Sequence, residues 1–131
     1  METFDKQDSF GENSLVYEAV GACLEVHKEL KWALIEKAYQ KALAHVLRQK
    51  GHKVIEEAPV KFRYKGELIP NGFRVDLLVD DQLIIELKAT DEIKPEHHAQ
   101  LQTYMLLSNI PMAYLLTFIL KSLLTDFSER A

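Results

Sequence analysis

A chain of 131 residues, 47% hydrophobic and 27% charged, has the make-up of one ordinary globular domain and is too short for two. A net charge of −4 argues against binding nucleic acid by bulk phosphate neutralisation, and the single cysteine, Cys23, excludes an internal disulfide. No apolar run is long enough to span a bilayer and the N-terminus is not leader-like, so the expectation is a cytoplasmic protein with no membrane partner and a buried structural thiol.

Residues 1–12 lack periodicity and read as a flexible N-terminal tail, leaving 13–131 as a single domain. Asn13 or Ser14 can cap a helix running to about Leu30, with Val16, Val20, Cys23, Leu24 and His27 as its apolar stripe. A second helical pattern runs from Leu34 through Ile35, Ala38, Tyr39, Leu43 and Leu47 and stops at Gly51. The period then falls to two over residues 54–64, placing Val60, Phe62 and Tyr64 on one face. Turns are expected at Lys65-Gly66 and at Pro70-Asn71-Gly72. Two strands follow, centred on Leu77-Leu78-Val79 and Leu83-Ile84-Ile85 and joined at Asp80-Asp81; apolar on both faces, they need cover on both sides. Pro95 opens a third helix through Leu101, Tyr104, Met105 and Leu107, and Pro111 ends it. Residues 112–119 form a further buried strand and 123–130 a weaker edge strand. This order gives an α/β fold with a mixed central sheet flanked by helices.

The strand pair carries the most specific chemistry. Asp76 lies on its first strand, and Glu86 and Lys88, two apart and so on one face, lie on its second. If Asp80-Asp81 is the turn, two carboxylates and an ammonium converge in an apolar setting. Hard divalent cations take such oxygen ligands, and phosphodiester hydrolysis uses such a cation. Asp76 and Glu86 would hold it, helped by the Leu87 carbonyl, while Lys88 orients or deprotonates the attacking water. The bland reading is an ion pair on an exposed sheet face. It sits poorly with Leu-Ile-Ile-Glu-Leu-Lys-Ala, where burying charge without a purpose is costly.

Other candidates are open on pattern alone. Glu36, beside Leu34 and Ile35, reads equally as a further ligand facing the sheet or as an exposed acid paired with Lys37 or Gln40. Gln100 and Tyr104 share a helix face and could contact substrate or steady Lys88, although a tyrosine there is ordinarily core. Tyr39 reads as core. His97 and His98 do not form a helical zinc pair, His45 and His52 have no obvious partner, and a zinc site is not expected. Two basic groups stand out, one of Lys37, Lys41, Arg48, Lys50 and Lys53, the other of Lys61, Arg63, Lys65 and Arg74; on helices these read as solvated faces.

Taken together, these residues resemble the PD-(D/E)xK nuclease-like superfamily, whose core has the order αβββαβ and an acid, hairpin, E-x-K arrangement. More closely, the chain is similar to the small GxxExxY proteins of that superfamily. The matching stretches run from Val20 to Leu30, from Leu34 to Tyr39, over Tyr64-Lys65-Gly66, from Arg74 to Val79, from Ile85 to Ala89, and from His97 to Tyr104. The resemblance implies a restriction-endonuclease-like fold and a catalytic set of Asp76, Glu86, Lys88 and Glu36. It implies Asp76, Glu86 and Glu36 as ligands of Mg2+ or Mn2+, with Gln100 and Tyr104 as accessory residues. Two glycines of the family between the first two helices are Lys31 and Ala33 here, so that link is expected to differ in shape. The implied activity is metal-dependent hydrolysis of DNA or RNA; the alternative is a non-catalytic interaction or homodimerisation module that keeps the fold.

Overall fold

The computed structural model describes residues 2–3, 15–30, 35–88, 90 and 92–117. Its elements are β1 (Glu2–Thr3), α1 (Leu15–Leu30), α2 (Glu36–Gln49), β2 (Val54–Tyr64), β3 (Glu67–Val79), β4 (Leu83–Lys88), α3 (Pro95–Ser108) and β5 (Met112–Thr117). Strands β5, β4, β3 and β2 lie side by side in that order, and β1 adds two residues to the outer edge of β5. The β2–β3 and β3–β4 pairs are antiparallel hairpins, whereas β4–β5 is parallel. A parallel pair needs a crossover, and α3 supplies it. The sheet is therefore mixed, as expected. Of the expected tail, Glu2 and Thr3 form β1. The remainder of that tail, the Asn13 or Ser14 cap, the helix link at 31–34 and the proposed strand at 123–130 lie outside the described residues.

Both faces of the sheet are covered, as the apolar strand centres require. On one face Leu77, Val79, Leu83, Ile85 and Leu87 pack with α1 and α2. On the other Ile84, Ala113 and Leu115 pack with Leu101 of α3. Helix α1 turns a different stripe inward than expected. Val16, Ala19, Ala22, Cys23 and Val26 are buried, while Leu24 and His27 face out. The alanines allow close approach, so small side chains outrank the larger Leu24 in setting this face. Burial pushes the Cys23 thiol up to about 12, which makes it an inert core thiol. Tyr39 is core, with its hydroxyl donating to the Leu30 carbonyl at the end of α1 (2.7 Å). Helix α2 starts later than its apolar pattern, because Ile35 is extended and exposed and Glu36 is the first helical residue.

Turn chemistry explains the hairpins. Lys65 and Gly66 both have positive φ (48° and 83°), the conformation that tight two-residue hairpin turns require. Asp80 and Asp81 do likewise (52° and 56°), and the Gln82 N–H donates to the Val79 carbonyl to close that turn (3.0 Å). Aspartate tolerates this left-handed conformation. Pro70-Asn71-Gly72 is not the expected turn. It lies inside β3 as a bulge, where the register slips between Val60↔Phe73 and Phe62↔Ile69. The Phe62 ring lies against the Gly72 backbone, and a Cβ there would have to displace it. His52 also gains partners that its sequence position hides. Its Nδ1 meets Asp80 Oδ2 at 2.6 Å and its Nε2 meets Glu18 Oε1 at 2.9 Å, tying α1 to the β3–β4 turn.

Candidate active site

The chemistry gathers where the ladders break. The β3–β4 ladder ends at Leu77 and Ile85, so the next row sets Asp76 opposite Glu86. In that row side chains replace the ladder bonds. The Asp76 N–H donates to Glu86 Oε1 (2.9 Å) and the Leu87 N–H donates to Asp76 Oδ2 (2.8 Å). Each carboxylate is thus held by the other strand's backbone, and the two acids are fixed side by side. The β2–β3 ladder is broken in the same row, between Glu56↔Leu77 and Ala58↔Val75, where Glu57 has a left-handed φ of 51°.

The row also changes which helix layer the hairpin faces. Val54, Leu77 and Val79 belong to the α1–α2 side, whereas Ala58, Val60 and Val75 belong to the α3 side. Strict alternation would keep each strand's set on one face. The phase slips at Glu57 and Asp76, so the outer half of the hairpin wraps towards α3. This slip opens the sheet beside the two acids.

Electrostatics marks the pair as strained. Glu86 is only 6% exposed. Burial, joined by the negative charge of Asp76, pushes its carboxyl up to about 7, although the Asp76 N–H and Lys88 pull the other way and Glu36 adds to the rise. Asp76 is half-buried and also raised, first by burial, against the Leu87 N–H bond and Lys88. Two acids that resist ionisation side by side call for a counter-charge.

The other expected residues fall around this pair. Lys88 acts electrostatically on both acids, and its Nζ donates to Gln100 Oε1 at 3.4 Å. Tyr104 stacks on Phe73 (ring centroids 4.4 Å apart, 11° between planes). Its hydroxyl is raised by burial and then by the charges of Glu86 and Asp76, which puts it within their field. Glu36, exposed at the first turn of α2, acts on Glu86 from that helix end. Among the described residues no group of three acids, histidines or cysteines is close enough to hold a metal ion. Of the three expected acids, the structure braces Asp76 and Glu86 against each other, while Glu36 reaches them through its charge, adding to the rise of Glu86.

Two residues near the site were not anticipated. Glu57 faces Asp76 across the broken β2–β3 ladder and helps to raise it, and Lys37 pairs with Glu57 at 2.7 Å while opposing that rise. Nothing in Glu56-Glu57 or in a helix lysine announces this; only the strand register does.

The donor set suits a hard divalent cation. Such ions are commonly held by one or two carboxylates, with water and substrate completing the shell. A forked mixed sheet between helix layers, bearing an acid pair and a lysine beside the fork, defines a restriction-endonuclease-like domain. The model of the PD-(D/E)XK nuclease superfamily matches residues 13–127, and the chain belongs to that superfamily. No curated protein and no solved structure matches the chain. No described helix is long and apolar enough to cross a membrane.

Proposed function

We propose that this chain is a metal-dependent nuclease that hydrolyses phosphodiester bonds of DNA or RNA at the Asp76–Glu86 pair. The observation that carries this reading is the mutual bracing of a buried and a half-buried acid, both raised first by burial, with the charge of Asp76 adding to the rise of Glu86. Buried like charges are costly, and they persist where function uses them. Asp76 and Glu86 would hold Mg2+ or Mn2+, with Glu36 reaching the ion through water. The ion, when bound, makes a coordinated water more acidic and offsets phosphate charge. Lys88, steadied by Gln100, offers an ammonium to the developing negative charge or takes the proton of the attacking water. Tyr104, stacked on Phe73 and within the field of both acids, would contact substrate from the α3 side. The Glu36 and Tyr39 spacing and the Gln100 and Tyr104 spacing support a place among the GxxExxY proteins, acting in the cytoplasm.

Plasmid and labelled DNA and RNA oligonucleotides incubated with Mg2+ or Mn2+ test this. Cleavage should occur with the metal and stop in Asp76→Ala. Cleavage that survives Asp76→Ala sinks the assignment. The lack of a third close ligand among the described residues favours one other reading, a non-catalytic module that pairs with a second copy. A dimer by light scattering, with no divalent-ion binding by calorimetry, would select that reading.

A further inference from the structure

The two basic groups in the sequence have different fates in the fold. On the helix side four of the five cations are answered: Lys37 by Glu57, Lys41 and Arg48 by Glu56, and Lys53 by Asp81. On the outer half of the β2–β3 hairpin they are not. Between Lys61 and Arg74 the chain carries four basic residues and one acid, against a net charge of −4 overall. Among the described residues Lys61, Arg63, Lys65 and Arg74 form no ion pair. Among the described residues Arg63 and Arg74 donate to backbone carbonyls, of Gly66 and Glu57, Arg74 also acts on the Glu57 charge, and Lys65 lies over the ring of Tyr64. Lys61, Arg63 and Lys65 are positive charge awaiting an external anion.

The same surface offers apolar faces. A cleft of about 450 Å³ runs between the hairpin and the end of α3, with Lys61, Phe62, Arg63, Leu68, Leu106 and Leu107 on its walls. That volume falls within the range of roughly 300–1,000 Å³ that accepts small organic ligands. Leu106 is 84% exposed. From the cleft an aromatic row leads inward. Phe62 and Phe73 have ring centroids 6.4 Å apart, Phe73 stacks on Tyr104, and Tyr104 lies in the field of Asp76 and Glu86. Cations beside apolar and aromatic surface, leading to an acid pair, match a polymer with anionic links and flat apolar side groups. In a duplex those flat faces are stacked away; in a single strand they are free to lie on protein.

We infer that the outer half of the β2–β3 hairpin, with the last turn of α3, is a cradle for a single nucleic-acid strand beside the acid pair. This deepens the nuclease reading and rests on it for the identity of the ligand. Lys61 and Arg63 take phosphates, and the apolar walls take bases. The phase slip at Glu57 and Asp76 is what turns this arm towards α3, so the slip that opens the acid site also builds the cradle.

The test is fluorescence anisotropy with a labelled 20-nucleotide oligothymidine and with its duplex with oligoadenosine, in EDTA so that nothing is cut. The wild type should bind the single strand more tightly than the duplex. The double variant Lys61→Glu/Arg63→Glu should lose at least tenfold in affinity, and its salt slope should fall by about 1.4, as loss of two phosphate contacts to a single strand predicts. A control with the same charge change elsewhere, Lys28→Glu/Lys50→Glu, should lose less than threefold. Absence of wild-type binding, a preference for duplex, or equal losses in the two double variants overturns the cradle. Separate cleavage assays keep the two readings apart. A wild type that binds as described but never cuts sinks the catalytic reading alone. A Lys61→Glu/Arg63→Glu protein that binds and cuts like wild type sinks the cradle alone.

Discussion

The β3–β4 hairpin carries carboxylates at both ends, and the fold treats them in opposite ways. At the turn, Asp80 meets His52, the Lys53 N–H and the Lys53 charge; burial alone would raise its carboxyl, but these partners hold it below its usual range. At the open end, Asp76 and Glu86 face each other and both are raised, first by burial. One hairpin therefore has a matched end that supports the fold and a mismatched end that strains it. The mismatched end also lies where two ladders are interrupted and where the buried faces slip, so the cost is concentrated in one row. That separation is what a site poised for an external cation and an external anion requires.

The comparison breaks most sharply in activity. Asp76→Ala and Lys88→Ala should each reduce cleavage by roughly 10²–10⁴-fold, the scale of losing a charge-stabilising or proton-transferring group, with folding retained by circular dichroism. Asp80→Asn, at the matched end, should leave the cleavage rate within about twofold while lowering stability. Equal activity losses at the two ends would erase the distinction. Cation binding should sharpen it next. Mn2+ at about 100 times its dissociation constant should stabilise the wild type by roughly 2.7 kcal/mol in thermal or urea unfolding. Glu86→Gln should remove most of that gain and His52→Gln none of it.

Without metal, the mismatched end should show itself as instability. The Glu86 carboxyl is raised from 4.5 to about 7 in the folded chain. The folded state therefore keeps a proton that the unfolded chain has already released. Wild-type stability is greatest below the unfolded value and falls as pH rises through the folded one. In EDTA, Glu86→Gln should match the wild type near pH 4 and exceed it by on the order of 3 kcal/mol at pH 8, since one pKa unit corresponds to about 1.4 kcal/mol. The glutamine can still accept the Asp76 N–H, so little else is lost. A variant less stable than wild type at pH 8 would mean that the acid pair is not strained.

The sequence exposed much of this because local rules governed it. Gly66 and the aspartates Asp80 and Asp81 tolerate left-handed φ between apolar runs, so both hairpins were readable. The second hairpin then brought Asp76, Glu86 and Lys88 together by register alone. The helix order and the mixed sheet followed from the change of period and from Pro95 and Pro111. What escaped depended on contacts between distant segments. Pro70-Asn71-Gly72 has turn composition, yet Phe62 packs on Gly72 and keeps the segment in the sheet as a bulge. Glu57 takes a left-handed φ that no neighbouring residue type demands. The inward face of α1 is set by alanines, which hydropathy ranks below Leu24. His52 finds Glu18 and Asp80 only after three elements have met.

His52 supplies the smallest test, and its sign is the useful part. Burial works to lower its pKa, but the hydrogen bonds and charges of Glu18 and Asp80 outweigh burial and raise it above 6.5. Its contribution to stability is therefore complete below the unfolded value and is lost as pH rises through the folded one. His52→Gln keeps the bulk of the side chain and removes the titration. The wild type should exceed it by about 1 kcal/mol at pH 5.5 and by clearly less at pH 8.5, measured by urea unfolding in EDTA. Both ends of the hairpin then lose stability with rising pH, but through opposite charges: the turn end by discharging a cation that its acids need, the open end by charging an acid that is buried and lies beside a second one. Salt separates them, because screening weakens the attraction at the partly exposed turn and acts far less on the buried acid at the open end. Raising ionic strength at pH 6 should shrink the His52→Gln difference, and raising it at pH 8 should leave most of the Glu86→Gln difference in place. A pH 6 difference that did not respond to salt would mean that His52 acts through packing rather than charge, and the matched end would lose its electrostatic meaning.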